Sequence, residues 1–365
     1  MNTPVPVELP ERATALVWQG TGPGGASFEL ADLPLTPGPD DAVVRVDYAT
    51  VCGSDRHTVE GRRSAACPSV LGHEAVGTLV RVPPGRLDVD GAELRVGDRV
   101  IWSVIASCAG AERCDRCQAG LSAKCRNLRK TGHEALESGW PLSGGYASHV
   151  VLPAGLAIAV VPPEIDDLTA ATAACATATV MACWQAATDI APISGQRVLV
   201  IGAGMLGLYA AAIAASVGAE AVVVVDPDPT RRELAGAFGA TEVTDTAEGQ
   251  IADVVFELSG HPSAVRAGLA ALDIGGVLVL AGSVAPRGTV DLDPENMVRR
   301  LLTVRGVHNY EPRHLSEAIR FLAGTHWPWH LVIGEPVDLA DLPELLSRPA
   351  RPEVLRDSVR LGGAR

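Results

Sequence analysis

Short apolar segments separated by turn residues fill the first third of the chain. Residues 42–48, 75–82 and 99–102 are rich in β-branched side chains, and a Gly97-Asp98 turn precedes the third segment. Short strands at this spacing are typical of a β-rich domain. Residues 103–145 are instead polar and rich in glycine, arginine and cysteine, so we expect them to need stabilisation other than an apolar core.

From residue 197 onwards the pattern changes to alternating strands and helices. Four apolar runs predict buried parallel strands, at 197–201, 221–225, 252–256 and 276–281. The intervening and flanking segments predict helices, one ending near 217 and the others at about 168–187, 230–238, 262–272 and 314–323. This succession predicts an α/β fold with a doubly wound parallel sheet, to which the last 50 residues need not belong.

Length and composition narrow the class of protein. The chain has 365 residues, enough for about two domains. Hydrophobic residues make up 47 % and charged residues 20 %, which supports an apolar core and argues against disorder. The 30 basic and 43 acidic residues give a net charge of −13. Because no basic stripe is available to neutralise phosphates, we expect no nucleic-acid partner.

The sequence predicts neither export nor membrane insertion. The first residues contain no basic stretch followed by an apolar core, so we expect no signal peptide and a soluble, cytoplasmic protein. Residues 198–219 are uncharged and long enough to cross a bilayer, but four glycines interrupt them. A buried strand, a turn and a helix explain this segment, so no membrane partner is expected.

A glycine motif follows the strand predicted at 197–201 and opens the next helix. It reads Gly202-x-Gly204-x-x-Gly207. We expect Leu206, within the motif, to contact the bound cofactor together with the glycines. Such glycines permit a tight turn and close approach of the backbone to a pyrophosphate, while the helix N-terminus offers its amides to the phosphates. The motif is weak evidence alone, but its strand–turn–helix context predicts a dinucleotide-binding domain.

Asp226 indicates which dinucleotide to expect. It ends the next predicted strand, 19 residues after Gly207. A carboxylate at this point hydrogen-bonds the adenosine ribose diol and repels a 2′-phosphate, which favours NAD. Arg231 and Arg232 keep NADP open as an alternative, because arginines in this region can bind the 2′-phosphate.

Four cysteines lie within 18 residues of the polar segment: Cys108, Cys114, Cys117 and Cys125. Four thiolates are the usual ligands of a structural zinc site, and metal binding can order a segment that lacks a core. A redox Cys-x-x-Cys pair is the alternative, but it needs no further cysteines. We interpret the basic residues of this segment as a solvated surface or a subunit contact: Arg113, Arg116, Lys124, Arg126, Arg129 and Lys130.

Three further motifs contain residues that catalytic zinc sites use. They are Cys52-Gly53-Ser54-Asp55-x-His57, Gly72-His73-Glu74 and Cys175-x-x-x-Thr179. A catalytic zinc ion takes three protein ligands and keeps one position open. Each motif alone is equally typical of ordinary core residues, and spacing cannot show that the three meet.

Together, the motifs resemble those of the zinc-dependent medium-chain alcohol dehydrogenases over nearly the full length of the chain. In that family the first cysteine ligand and the histidine ligand are separated as Cys52 and His73 are, by 21 residues. The ribose-binding acid follows the first glycine by 24 residues, as Asp226 follows Gly202. A subgroup proposed to act in phosphonate metabolism is the most similar at 129–134, 175–180 and 307–310.

The resemblance implies a role for each motif residue. Cys52, His73 and Cys175 would hold a catalytic zinc ion, and the four clustered cysteines a structural one. Ser54 would take the proton of an alcohol and pass it towards the coenzyme ribose and His57. The other positions would support these groups: Asp55 and Glu74 behind the ligands, Thr179 beside the nicotinamide and Arg231 beside the adenosine ribose.

The same resemblance implies the fold and the reaction. A GroES-like catalytic domain would comprise residues 1–177 and 313–365, with a zinc lobe at 103–130, and a Rossmann domain would comprise residues 178–312. The expected reaction is hydride transfer between an alcohol, or its aldehyde or ketone, and NAD. Relatives form dimers or tetramers, so we expect a homo-oligomer, for which the strand at 276–281 could pair at a sheet edge.

Several alternatives stay open from the sequence. The gap between Cys108 and Cys114 is longer than in most family members, which leaves open whether Cys108 binds the structural metal. Many relatives use an acid in place of Cys175, and Glu74 is the alternative third ligand. A zinc-free reductase of alkenes or quinones and a non-catalytic dinucleotide-binding redox sensor are the alternative functions. Three residues are expected near the substrate pocket: Trp102, Val104 and Trp140.

Overall fold

Three β-sheets organise the part of the chain that the structure describes. The structure is a computed structural model, and it describes residues 9–110, 112–284 and 287–362. The predicted domain ranges also include positions outside these residues, namely 1–8, 111, 285, 286 and 363–365.

Antiparallel pairing dominates the N-terminal part of the chain. Its strands are β1 (Arg12–Gly22), β2 (Gly25–Pro34), β3 (Ala42–Val51), β4 (Ser69–Val70), β5 (Glu74–Arg81), β6 (Arg99–Ala106), β7 (Arg129–Lys130), β8 (His149–Leu152) and β9 (Leu156–Val160). Two short helices lie between them, α1 (Gly53–Val59) and α2 (Asp115–Gln118). β1, β2 and β4 form one sheet, and the other strands belong to an eight-stranded sheet centred on β3, β5 and β6.

A long helical segment links this β-rich part to the rest of the chain. It consists of α3 (Asp167–Thr172), a π-helical turn (Ala173–Thr177) and α4 (Ala178–Thr188). Asp166 begins α3, because its side chain accepts the backbone N–H of Thr169 at 2.9 Å. The segment packs on β5 and β6 through its π-helical turn.

Six parallel strands form the third sheet: β10 (Arg197–Ile201), β11 (Ala221–Val225), β12 (Glu242–Thr244), β13 (Ala252–Glu257), β14 (Leu272–Leu280) and β15 (Thr303–Gly306). Its helices are α5 (Met205–Ser216), α6 (Pro229–Ala237), α7 (Pro262–Ala271) and α8 (Pro294–Arg300). The spatial order is β12-β11-β10-β13-β14-β15. This order confirms the predicted doubly wound α/β sheet.

One prediction about this sheet was wrong. The run at 276–281 belongs to β14, which lies between β13 and β15, so it is not available for pairing at a sheet edge. Strands covered on both faces are apolar along their whole length, so a continuous apolar run indicates an interior strand. The edge strands are β12 and β15, and the residues of both are largely exposed.

The uncharged segment 198–219 spans β10, the glycine turn and α5, as predicted. Within the described ranges, no helix combines the length and apolar character needed to cross a membrane.

The C-terminal part of the chain returns to the first sheets. It contains α9 (Pro312–Ala323), β16 (Ile333–Asp338), α10 (Leu342–Ser347) and β17 (Arg356–Arg360). β17 pairs antiparallel with β3 and parallel with β16. The residues that follow β3 therefore lie beside a strand from the far end of the chain.

His314 fixes the first turn of α9 against α4. Its Nδ1 accepts the backbone N–H of Glu311 at 3.0 Å, so Nε2 carries the proton and donates to Oε1 of Gln185 at 2.6 Å. Burial and the guanidinium of Arg313 lower the pKa of His314 to about 4. The folded protein therefore keeps this ring neutral at a pH where a free histidine is protonated.

We expect the protein to lose stability as the pH falls from about 6.5 towards 4, because only the unfolded chain then binds a proton at His314. By about pH 5 the free energy of unfolding should fall by about 2 kcal/mol from this group. Denaturant unfolding of wild type and His314→Asn at both ends of this range measures the effect, and the variant should show a shallower pH dependence. The exposed His326, changed to Asn, is the matched control. Equal pH dependence in wild type and His314→Asn would contradict the assignment.

Candidate active site

Strand pairing brings Cys52 and His73 together. In the antiparallel ladder of β3 and β5, Thr50 lies opposite Glu74. Cys52 follows the end of β3 and His73 precedes the start of β5, so the two residues meet at the same edge of the sheet. Cys52 is also the residue at which α1 begins.

Cys175 reaches the same point from the π-helical turn between α3 and α4. Its Sγ lies 4.0 Å from Sγ of Cys52. The ligand atoms of Cys52, His73 and Cys175 all lie within 4.8 Å of one another, and we call these residues the three-donor cluster. Two sulfur atoms and one imidazole nitrogen form a donor set that fits zinc.

Ser54 and Asp55 surround the imidazole of His73. Oγ of Ser54 lies 3.3 Å from Nε2, and Oδ1 of Asp55 lies 3.3 Å from Nδ1 without an aligned hydrogen bond. Oδ2 of Asp55 accepts the backbone N–H of Cys52 at 3.1 Å and the hydroxyl of Tyr146 at 3.2 Å. The carboxylate of Asp55 thus contacts both Cys52 and His73 and helps to hold these two residues in position.

Glu74 lies behind the cluster in a buried ion pair with Arg356. Oε2 accepts Nε of Arg356 at 2.6 Å and the hydroxyl of Thr50 at 2.8 Å, and Oε1 accepts Nη2 of Arg356 at 2.9 Å. Nη2 also lies 3.7 Å from Sγ of Cys52. Burial raises the pKa of Glu74 to about 7, against the effect of Arg356. Both carboxylate oxygens thus bind other protein groups, while Cys175 occupies the third position of the cluster.

No motif in the sequence indicates Arg356. It lies 304 residues after Cys52 and reaches it only because β17 pairs with β3.

His57 lies on α1, one helical turn beyond Ser54. Its Nδ1 accepts Nε of Arg62 at 2.9 Å, which places the ring proton on Nε2. Burial and Arg62 lower the pKa of His57. Although both side chains are described, no hydrogen bond joins Ser54 to His57.

The glycine turn between β10 and α5 has the geometry that the motif predicts. Gly202 has a φ of +103°, and a Cβ on Gly207 would lie 1.9 Å from the carbonyl oxygen of Gly202. Both positions therefore require glycine. Gly204 is the residue at which α5 begins, and a Cβ there would meet only the end of the Arg231 side chain, at 3.9 Å. The backbone of this turn is thus open to a ligand.

Asp226 lies at the carboxyl end of β11, next to that turn. Its Oδ2 accepts the backbone N–H of Ala203 at 2.8 Å, and Oδ1 accepts that of Asp228 at 2.9 Å. Nη1 of Arg232 is bound to the carbonyl oxygens of Asp226 and Pro227, at 2.7 and 2.9 Å. The guanidinium of Arg232 is thus held on the backbone.

A cavity of about 450 Å³ connects the two sites. The three-donor cluster lines it together with Ser54 and His57, and so do four residues expected to bind the coenzyme, Thr179, Gly204, Leu206 and Arg231. Of the three residues predicted near the substrate, Val104 lines this cavity. The prediction was wrong for Trp102 and Trp140, which are buried in the core of the β-sheets. Trp102 lies on β6 with Val104, but the register of β6 with β9 shifts between Trp102 and Ala106, and Trp140 lies outside the strands.

The four clustered cysteines converge on a second point. Their Sγ atoms lie within 4.8 Å of one another, with Cys108 3.4 Å and Cys114 3.9 Å from Cys125. None of the four forms a disulfide. The backbone N–H of Arg126 lies 3.5 Å from Sγ of Cys114 and lowers its pKa to about 6. A closed set of four thiols fits a structural zinc ion, and Cys108 lies within this set despite its longer spacing.

Comparison with known proteins agrees with this geometry. Residues 38–163 match the alcohol dehydrogenase GroES-like domain, and residues 206–324 match the zinc-binding dehydrogenase domain. The L-threonine 3-dehydrogenase of Pyrococcus horikoshii is 33 % identical over 317 residues, which cover 81 % of this chain and 83 % of the relative.

Solved structures show the same fold. An alcohol dehydrogenase of Thermotoga maritima has a TM-score of 0.84 at 26 % identity, over 96 % of this chain and 99 % of that chain. A zinc-binding dehydrogenase of Sinorhizobium meliloti, solved with NADP, has a TM-score of 0.80 at 27 % identity, also over 96 % and 99 % of the two chains.

Fold, site and similarity together define a zinc-binding oxidoreductase that uses a nicotinamide dinucleotide. The chain belongs to the zinc-dependent medium-chain dehydrogenase family, and its relatives place it with the alcohol and threonine dehydrogenases. The resemblance drawn from the motifs is thus confirmed at the level of the family. The narrower resemblance to a phosphonate-associated subgroup stays a prediction.

Proposed function

We propose that the protein catalyses the reversible oxidation of a small-molecule alcohol to its aldehyde or ketone, with NAD as the coenzyme. The observation that carries this proposal is the single cavity shared by Cys52, His73, Cys175 and the glycine turn at Gly204. One cavity can therefore hold a nicotinamide ring next to an alcohol bound at the three-donor cluster.

The residues that line the cavity would have different roles in the reaction. When bound, zinc would supply a Lewis acid that acidifies an alcohol, and NAD would supply a hydride acceptor. Ser54 is placed to take the alcohol proton, since its Oγ is next to His73. His57 can accept the proton from this point only when Arg62 releases its Nδ1. Because Ser54 and His57 are not hydrogen-bonded to each other, a further hydroxyl group has to carry the proton between them. Asp55 and Glu74 keep the ligands in place.

Two alternatives differ from this proposal in what they require. A zinc-free reductase has no use for the three-donor cluster, and a non-catalytic sensor has no use for a hydroxyl such as Ser54 beside it. The engagement of both Glu74 oxygens by Arg356 and Thr50 supports Cys175, rather than Glu74, as the third ligand.

We also propose a second, structural zinc ion at the four cysteines and a division into two domains. The pairing of β17 with β3 supports a catalytic domain of residues 1–177 and 313–365, and the parallel sheet supports a dinucleotide-binding domain of residues 178–312. Assembly into dimers or tetramers stays a prediction.

The proposal is tested by metal analysis and a substrate panel. Two zinc ions per chain are expected. Primary alcohols, secondary alcohols and L-threonine are each incubated with NAD and with NADP, and reduced coenzyme is followed by absorbance. At least one alcohol should reduce NAD. Failure of all of them, in protein that retains both zinc ions, would contradict the proposal.

Replacing Asp226 with Ser should shift coenzyme preference from NAD towards NADP, because the carboxylate that repels a 2′-phosphate is lost while Arg231 stays in place. We expect the ratio of kcat/KM for NAD to that for NADP to fall by at least about tenfold, which corresponds to about 1.4 kcal/mol. Asp245→Ser, an exposed acid outside the cavity, is the control. A wild type that already prefers NADP would overturn the assignment of NAD.

A further inference from the structure

The cavity carries more positive charge than its acids balance. Three of its arginines are paired with carboxylates: Arg56 with Asp357, Arg62 with Glu60, and Arg356 with Glu74. Arg63 lines the same cavity, and within the described ranges it has no carboxylate at ion-pair distance.

Both lysines of the chain belong to the same group of cations as Arg63. The 30 basic residues include only two lysines, Lys124 and Lys130. Nζ of Lys124 is hydrogen-bonded to Nδ1 of His308, and His308 lines the cavity. Lys130 is half-buried on β7, and its pKa is shifted by the charges of Arg63, Lys124 and Cys175. We call Arg63, Lys124, Lys130 and His308 the cationic cluster.

Among the described residues, no carboxylate lies at ion-pair distance from Arg63, Lys124 or Lys130. Burial lowers the pKa of Lys130, and the charges of Arg63 and Lys124 lower it further. Burial and all three cations lower the pKa of His308, again without an opposing carboxylate. Glu134 accepts the backbone N–H of Lys130 at 2.8 Å, and its other oxygen lies 3.9 Å from Nε of Arg129. In a chain with a net charge of −13, such a concentration of repelling cations favours the binding of an anion.

The cluster lies at the reacting end of the cavity. Arg63 and His308 line it together with His133, His73 and Cys175. The ring of His133 lies 5.1 Å from that of His73, centroid to centroid. The phosphates of a dinucleotide are instead expected at the glycine turn, at the start of α5, where Arg231 lies. The coenzyme phosphates therefore do not account for the cationic cluster.

We propose that the substrate is an alcohol with a terminal oxyanion group, a carboxylate or a phosphonate, which binds the cationic cluster while its hydroxyl reaches the three-donor cluster. This inference rests on the proposed function, since it names the class of alcohol. Lys130 and Arg63 supply charge-assisted hydrogen bonds to the oxyanion, and the Nε2–H of His308 supplies a neutral donor. The interactions select the acid over its neutral analogue.

The test measures anion binding apart from turnover. Methylphosphonate and acetate are titrated calorimetrically into the zinc-loaded protein with NAD, with their neutral methyl esters as controls. The variants Arg63→Gln and Lys130→Gln each remove one cation of the cluster. Arg320→Gln removes a cation on the exposed side of α9, outside the cavity, and is the matched control. In parallel, 2-hydroxyethylphosphonate and 3-hydroxypropanoate are compared with their methyl esters as substrates.

We expect at least one anion to bind, its ester to bind at least about tenfold more weakly, and each cavity variant to lose at least about tenfold in affinity. Arg320→Gln and the affinity for NAD should not change. The anion that binds more tightly identifies the oxyanion group. Unchanged anion binding in both cavity variants, or a loss confined to NAD binding, would overturn the inference. If the variants lose anion binding but no alcohol reduces NAD, the failure belongs to the proposed function alone.

Discussion

Replacing Cys52 with Ser should lower kcat by at least about a thousandfold, because the three-donor cluster loses a thiolate and with it the metal that acidifies the alcohol. A Lewis acid supplies several kcal/mol of transition-state stabilisation, and about 4 kcal/mol corresponds to a thousandfold in rate. His73→Ala should have the same effect. The measurement is kcat with the best alcohol of the panel, together with zinc content per chain.

The binding of NAD separates a loss of chemistry from a loss of fold. Its affinity should stay near the wild-type value in Cys52→Ser, because the glycine turn is contributed by a different sheet. Cys67→Ser is the matched control, since this exposed thiol lies outside both cysteine clusters. Retained turnover in Cys52→Ser or His73→Ala would show that the cluster is not the reaction centre.

The second large effect is expected at the four cysteines. Cys117→Ser should lose one of two zinc ions per chain and leave the segment around α2 open to protease, because these residues bury few apolar side chains. Ser122 and the backbone N–H of Ala123 bind the carboxylate of Glu311, so the N-terminus of α9 loses a contact as well. Zinc content and the position of the first proteolytic cleavage are the measurements.

Cys183→Ser provides the control for this prediction. Cys183 is a buried thiol of α4 outside both clusters, so its replacement costs packing but no metal. A Cys117→Ser protein that keeps two zinc ions and resists cleavage would argue against a structural metal at this site.

The dinucleotide half of the molecule could be predicted from the sequence because its signals are local. The apolar runs that form β10, β11 and β13 lie within one or two residues of the predicted positions. The glycine turn is specified by Gly202 and Gly207 themselves, whose positions exclude a side chain. In this half, the hydrophobic pattern and the backbone requirements of the glycines specify the same structure, and neither depends on contacts with distant parts of the chain.

The catalytic half could be predicted only in part, because its contacts join distant parts of the chain. Cys52, His73 and Cys175 were identified by resemblance, but their convergence depends on the register of β3 with β5 and on the π-helical turn. No local pattern marks Arg356 or His308 as neighbours of this site. The hairpin of β1 and β2 was likewise not predicted.

The pairing of β17 with β3 has a consequence for biosynthesis. The edge that carries Cys52 stays incomplete until the ribosome has added residue 360, and the carboxylate of Glu74 lacks its guanidinium partner during that time. A buried acid without its counterion is unfavourable, so we expect this half to reach its final packing only after β17 has been synthesised. We therefore expect the proposed catalytic zinc ion to bind only after this half has folded.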